Sequence, residues 1–285
     1  MSPTQNTIMK EFSFQAVKLI KNADAIAVFA GAGMGVDSGL EQYRGKGGLW
    51  TKSIVVNNEK VNYQDLLTHD AFDKTPEQSW AFVASLIEKY TRTIPHKGYT
   101  QLLDILKEKE YFIVTSNCDE HFQKAGFDEL RLWECHGSIF NMQCMDILER
   151  DIYKTPLLSI DPITQTLIGG VPKCPKCGLN CRPNMYLFYD WFWVSNNSVA
   201  QQIRYNSWQK EIKEKKNKIV AIEIGAGKTI DTIRKTARRF TNDTIPLIRI
   251  NPYDFEIENP NEISVGNGAK EFFERLEVSN VIKVP

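Results

Sequence analysis

The sequence lacks net charge: 35 lysines and arginines balance 35 aspartates and glutamates. That balance excludes electrostatic capture of nucleic acid or of an anionic membrane as the organising function. The locally basic run from Lys210 to Lys218 has Glu211 and Glu214 interleaved and reads as a solvated helix face. No apolar run approaches the ~18 residues of a membrane span, and the first residues lack the apolar centre of a signal peptide. A cytoplasmic protein is expected. Its six cysteines are then reduced or metal-bound rather than paired as disulfides. Internal repeats and low-complexity tracts are also missing. What remains is ordinary globular composition, 42% hydrophobic and 25% charged, in 285 residues, enough for one large domain or a large plus a small one.

The chain is organised around Ala25 to Trp50. Ala25 to Ala30 is a short apolar run, the length of a buried parallel strand, and it runs into Gly31, Gly33, Gly35 and Gly39. A strand that ends in glycines before a helix brings backbone N–H groups close to a phosphate, because no Cβ stands between backbone and ligand. The spacing departs from the dinucleotide fingerprint, since Val36 stands where its third glycine belongs. Tyr43-Arg44-Gly45 and Gly47-Gly48-Leu49-Trp50 follow, a glycine-rich loop able to close over a ligand.

The rest alternates. Helices are expected over 5–22, 76–90, 96–107, 119–125, 229–240 and 269–276, and strands over 111–116, 131–135, 218–224, 246–250 and 262–265. Trp80, Val83, Ile87 and Tyr90 recur at helical spacing and read as core. Little is assigned between Thr51 and Asp70. The alternation implies a doubly wound parallel α/β sheet, and ligands bind such sheets at the strands' C-terminal edge. At that edge stand Gly31-Ala32-Gly33, Ser116-Asn117-Cys118-Asp119, His136, Gly225-Ala226-Gly227 and Asn251. Asn117 and Asp119 also suit helix N-caps. His136 is either a structural histidine or a general base, the role its titration near neutrality allows. Cys174-Pro175-Lys176-Cys177 is a CxxC knuckle, a strong zinc signal when a second one pairs with it and otherwise a pair of buried or turn cysteines without metal.

GAGMGVDSGLEQYRG resembles the cofactor signature of the sirtuins, GAGxSxxSGIPDFRG, and the resemblance has company. TSNCDEHFQKAGF is similar to that family's TQNIDGLHxxAG, and WECHGSI to its ExHGS. In family order the likeness runs over roughly residues 20 to 275, and the chain is identified as a divergent, bacterial-type member. The resemblance implies a Rossmann-like large part (about 1–42, 96–143 and 183–285) and a discontinuous small part (about 43–95 and 144–182) built from a helical insert and a zinc module. It implies an NAD-dependent protein-lysine deacylase that yields nicotinamide and O-acyl-ADP-ribose from an acyl-lysine protein or peptide. His136 takes the catalytic histidine's place, with Asn117 and Asp119 as the accompanying pair. Gly31, Ala32, Gly33, Tyr43, Arg44, Ser116, Gly225, Ala226, Gly227 and Asn251 fall on cofactor positions. Cys144, Cys174, Cys177 and Cys181 fall on or near the zinc positions, with Ile147 where a ligand cysteine is usual. Three outcomes stay open there: zinc on four cysteines, zinc with a noncysteine fourth ligand, or a zinc-free module. Cys118 and Cys135 read as packing.

Departures bear on the acceptor. Gln42, Glu41, Ser116, Gly35 and Phe122 replace the family's Asp, Pro, Gln, Ser and His, and Phe188 to Trp193 replaces the FGE that pairs with the peptide backbone. Those aromatics are either tunnel wall or core. The rival functions are accordingly a mono-ADP-ribosyltransferase or NAD hydrolase, and a noncatalytic NAD or ADP-ribose sensor. The oligomeric state stays open.

Overall fold

A computed structural model describes residues 14–42, 48–56, 59–161, 163–164 and 166–278. Taken in chain order, α1 is helical over 14–22, and β1 (Ala25–Ala30) leads into a 3-10 turn over Ala32–Ser38. A hairpin follows, β2 (Ser53–Val56) and β3 (Glu59–Asn62), in the stretch that sequence pattern left unassigned. Next come α2 (His69–Lys74), α3 (Pro76–Arg92), α4 (Lys97–Leu106) and β4 (Glu110–Thr115). A short α5 (His121–Lys124) precedes β5 (Leu132–Glu134) and β6 (Gly137–Cys144). Short strands β7 (Ile152–Lys154), β8 (Ser159–Ile160) and β9 (Leu167–Ile168) lead to β10 (Cys181–Met185). The chain closes with α6 (Asn196–Glu214), β11 (Ile219–Ile224), α7 (Thr232–Phe240), β12 (Leu247–Ile250), β13 (Glu262–Val265) and α8 (Ala269–Val278). The part of the expected first helix before residue 14 lies outside the described residues.

Six strands form one all-parallel sheet in the order β13-β12-β11-β1-β4-β5. The first strand therefore lies in the middle. The chain adds β4 and β5 on one side, then returns to add β11, β12 and β13 on the other. Between the two directions lies the switch point where doubly wound sheets open a crevice. β1 and β11 are buried along their whole length, as a strand covered on both faces must be. Ile26, Val28 and Ala30 face a core shared with α1, α4 and α8, through Ile20, Tyr99, Leu102 and Phe273. Ala25, Ala27 and Phe29 face the opposite core, with Tyr205, Trp208 and Phe240 from α6 and α7.

A third core joins α2 and α3 to a small antiparallel sheet, β10-β6-β7. Trp80 is fully buried there and its indole Nε1 donates to the Cys181 carbonyl at 2.7 Å. Among the described residues no helix is long and apolar enough to cross a membrane.

At the switch point two glycine turns touch backbone to backbone. Gly33 N donates to Gly225 O at 3.0 Å. A Cβ on Gly225, whose φ is 60°, would stand 2.4 Å from Gly33 Cα, and one on Gly33 would stand 2.5 Å from Gly225 Cα. Gly225→Ala is expected to lose more than about 3 kcal/mol in urea denaturation, from left-handed strain plus overlap with immovable backbone. Gly227→Ala, whose Cβ meets nothing within 4 Å, should lose under about 1 kcal/mol. Equal stability for the two variants would refute the close contact.

Candidate functional site

Five strand ends converge on one cleft. Gly31 to Gly33 leave β1, Ser116 to Cys118 leave β4, His136 leaves β5, Gly225 to Gly227 leave β11, and Asn251 leaves β12; all line it. The cleft holds about 1250 Å³ of free space, part of it open to solvent. Its far wall is the segment after β10, including Tyr186 and Phe188.

Each turn is fixed by a side chain. Thr115 Oγ1 donates to Ala30 O at 3.0 Å and accepts from Asn117 N at 3.1 Å. Asn117 Nδ2 donates to Gly31 O at 3.1 Å, tying the end of β4 to the glycine turn. At the other end Asn251 Nδ2 donates to Ala226 O at 3.1 Å, and its Oδ1 accepts from Tyr253 N and Asp254 N. Buried Arg234 also donates to Ala226 O, through Nε and Nη2 at 3.1 Å each.

His136 stands at the β5 end of the cleft, half-buried, with its ring centroid 5.9 Å from that of Tyr186. Desolvation pushes its imidazole down to about 4, so it is neutral at pH 7 and has a lone pair to accept a proton. Asp119 is placed differently. It is buried, absent from the lining, and its Oδ1 accepts from His121 N at 3.0 Å, the first amide of α5, although Glu120 and not Asp119 stands at the N-cap. Burial raises its carboxyl, opposed by neighbouring His121. Tyr43 and Arg44 lie outside the described residues. The remaining predicted cofactor residues share the one cleft.

Sequence reasoning overlooked His96. Its Nδ1 accepts from Gly98 N at 3.0 Å and caps α4, so Nε2 carries the proton toward Met34 O, 2.9 Å away. The signal available was a histidine after proline at a helix start. It also overlooked Lys228, Tyr253 and Asp254, which follow Gly227 and Asn251 and line the same cleft.

The aromatic segment divides. Phe188 lines the cleft, whereas Tyr189 and Trp191 are 90% and 91% exposed and are not core. Fully buried Arg182 and Asp190 hold the segment by a bidentate pair, Nη1 to Oδ2 at 2.8 Å and Nη2 to Oδ1 at 3.0 Å. The same carboxylate accepts from Leu187 N and Phe192 N. Tyr186 N is bonded to His136 O and Phe188 N to Leu67 O.

On the small sheet, the sulfurs of Cys144, Cys174 and Cys177 all lie within 4.8 Å of one another, and Cys144 and Cys177 approach to 3.4 Å. Tetrahedral zinc with bonds of about 2.3 Å sets its sulfurs roughly 3.8 Å apart, so the three fit the metal. Burial opposes ionisation of Cys174, but the N–H groups of Cys177 and Lys176 outweigh it and pull that thiol below its ordinary value. Cys181 pairs with Cys144 across the strands and its thiol contacts Cys174, yet its sulfur falls outside the group of three. Burial pushes Cys135 up to about 12 and Cys118 well above its ordinary value, leaving both as protonated thiols.

Comparison with known proteins follows the same lines. The family model of the Sir2 family matches residues 31–217. The NAD-dependent protein deacylase of Pyrococcus furiosus is 32% identical over 171 residues, which is 60% of this chain and 62% of that protein, under two thirds of its length. That of Corynebacterium glutamicum is 31% identical over 198 residues, 66% of this chain and 69% of that protein. The fold is similar to the crystal structure of a Sir2 homolog–NAD complex, with a TM-score of 0.67 at 21% identity over 94% of this chain and 93% of that one.

The desolvated imidazole has a consequence for stability. Folded His136 stays neutral down to about pH 4, while the unfolded chain's imidazole takes its proton near 6.5. Between those values the unfolded state binds more protons, so stability falls as pH is lowered. Histidines 69, 96 and 121, all shifted down by burial, act in the same sense, and Glu134, raised to about 7, acts in the opposite one. These cancel when His136→Gln is compared with the parent. The urea midpoint should drop less in the variant between pH 6.5 and 4, and equal drops would show that the imidazole is solvated.

Proposed function

The chain belongs to the Sir2 family, and from that premise we propose that it is an NAD-dependent protein-lysine deacylase of the cytoplasm. One observation carries the proposal: a neutral histidine and two glycine turns share a single cleft across the switch point of the sheet. When bound, NAD would supply an anomeric carbon from which nicotinamide leaves and a ribose hydroxyl that takes the acyl group; with one water consumed, the products are nicotinamide, free lysine and O-acyl-ADP-ribose.

The chain's own residues do the rest. Gly31, Ala32 and Gly33 with Gly225, Ala226 and Gly227 let backbone approach the pyrophosphate. Asn117 and Ser116 would border the reacting ribose, and Asp119 would accompany them from its buried place behind the lining. Tyr43 and Arg44, which follow the first glycine turn in sequence, would join the cofactor site, and Asn251 would shape the adenosine end. His136 takes the proton from the ribose hydroxyl, a general-base step worth about 10²–10⁴-fold. Cys144, Cys174 and Cys177 would hold zinc, with Cys181 as the fourth ligand once its sulfur moves toward the three, and the metal would brace the small sheet.

A specific observation favours a second reading. The amides of Tyr186, Leu187, Phe188 and Phe192 are bonded within the chain, so they do not offer a peptide an edge to pair with. That favours ADP-ribosyl transfer or NAD hydrolysis with an acceptor held by other means.

Nicotinamide release from NAD separates the two. Deacylation requires release that depends on an acetyl-lysine peptide and falls about 10²-fold or more in His136→Ala. Release indifferent to peptide refutes it in favour of the second reading. For the metal, elemental analysis should find about one zinc per chain, and Cys177→Ser, a change at an exposed thiol, should lose it and lower the thermal midpoint by at least about 5 °C. Zinc-free protein with an unchanged midpoint in that variant would identify a vestigial module.

A further inference from the structure

The cleft has two ends, and the strand order says which is which. His136 and Asn117 stand over β5 and β4 on one side of the switch point, and Asn251 stands over β12 on the other. If the reacting ribose lies beside His136, the pyrophosphate crosses the glycine turns and the adenosine lies at the β11–β12 end.

That end carries a charge cluster which the reaction does not use. Lys228 and Asp254 both line the cleft. Lys228 Nζ is 3.6 Å from Asp254 Oδ1 and donates to Glu256 Oε2 at 2.8 Å. One cation is thus matched by two carboxylates, leaving a net charge of minus one on the rim. The backbone beneath the carboxylates is anchored. Arg234, 3% exposed, donates to Asp254 O, and fully buried Arg249 donates to Glu256 O. The loop carrying the carboxylates is therefore tied to α7 and β12.

Carboxylates beside an adenosine ribose accept hydrogen bonds from its free hydroxyls and repel a phosphate esterified there, whereas an unneutralised basic residue welcomes that phosphate. We propose that Asp254 and Glu256, by occupying Lys228, make this cleft select a dinucleotide with a free adenosine 2′-hydroxyl and reject its 2′-phosphorylated form. The proposal rests on the NAD reading of the cleft. Lys228 is then a concealed phosphate site: the cation is present, and the two carboxylates hold it in another pair.

The test is equilibrium binding of NAD and of NADP by calorimetry, on the intact protein and on Asp254→Asn/Glu256→Gln, with and without Lys228→Ala. These side chains are substantially exposed, and exposed pairs contribute little to stability, so the variants should fold as the parent does. The parent should bind NADP at least about tenfold more weakly than NAD. The double variant should bind NADP about tenfold more tightly than the parent does and NAD more weakly, so that the preference for NAD collapses. Adding Lys228→Ala should cancel the gain. Equal affinities in the parent, or a ratio unmoved by the double variant while NAD still binds, would overturn this inference alone. A parent that binds neither dinucleotide would overturn the NAD reading of the cleft and this inference with it.

Discussion

The contact between Gly33 and Gly225 is the constraint from which the rest follows. β1 and β11 pair in register over six residues, Ala25 opposite Ile219 through Ala30 opposite Ile224. Their turns therefore leave the sheet at the same height and meet. Any Cβ at that meeting would overlap backbone, which cannot rotate away as a side chain can. From this point the sheet diverges in both directions, and the space between the diverging connections is the cleft. Where the two turns meet, its floor is backbone, the surface a pyrophosphate can approach most closely.

A buried set of charges keeps β11, β12 and β13 in line with that floor. Glu223 in β11 lies opposite Arg249 in β12, and Arg249 Nε donates to Glu223 Oε1 at 2.8 Å. Glu262 in β13 stands 3.5 Å from Arg249 Nη1, and Arg234 in α7 approaches Glu223 at 3.9 Å. Two cations balance two anions, all almost completely buried. Such sets contribute little net stability, since desolvation offsets their attraction. Their effect is on register: sliding β12 by one residue would turn Arg249 to the opposite face, taking its guanidinium from two buried carboxylates and leaving Glu223 only the longer contact to Arg234.

The sheet was legible because its strands are short apolar runs and its functional turns are glycines, asparagines and one histidine at their ends. AIAVFA, EYFIVT and IVAIEI needed no tertiary knowledge to be read as strands. β6 and β10 were illegible because buried polar residues interrupt them. Gln143, Arg182 and Asn184 look solvent-facing in sequence, yet Asn184 Nδ2 donates to Gln143 Oε1 at 3.0 Å and to Val194 O at 2.8 Å, inside the molecule. Most of α6 was missed for a related reason. Its buried positions are Ser198, Tyr205, Trp208 and Ile212, a narrow stripe that includes a hydroxyl and lies among charged neighbours. In the cleft, strand-end residues could be found one strand at a time. Lys228 and Asp254 belong to different strand connections, and only the packing of β11 against β12 brings them together.

The position of His136 explains how one residue can depend on both halves of the molecule. The parallel sheet ends at Glu134 and the antiparallel sheet begins at Gly137, so His136 lies on the two-residue crossing between them. Its carbonyl accepts from Tyr186 N at 2.9 Å, where the chain returns from β10. Gly137 has φ of 72°, and a Cβ there would stand 2.3 Å from Asn184 O. The crossing is therefore clamped from the small-sheet side, while β5 fixes it to the large sheet through its pairing with β4. An imidazole mounted this way keeps its place in the cleft only while the two sheets keep theirs. Arg182 and Asp190, which hold the segment that bonds to the His136 carbonyl, therefore bear on where that imidazole stands.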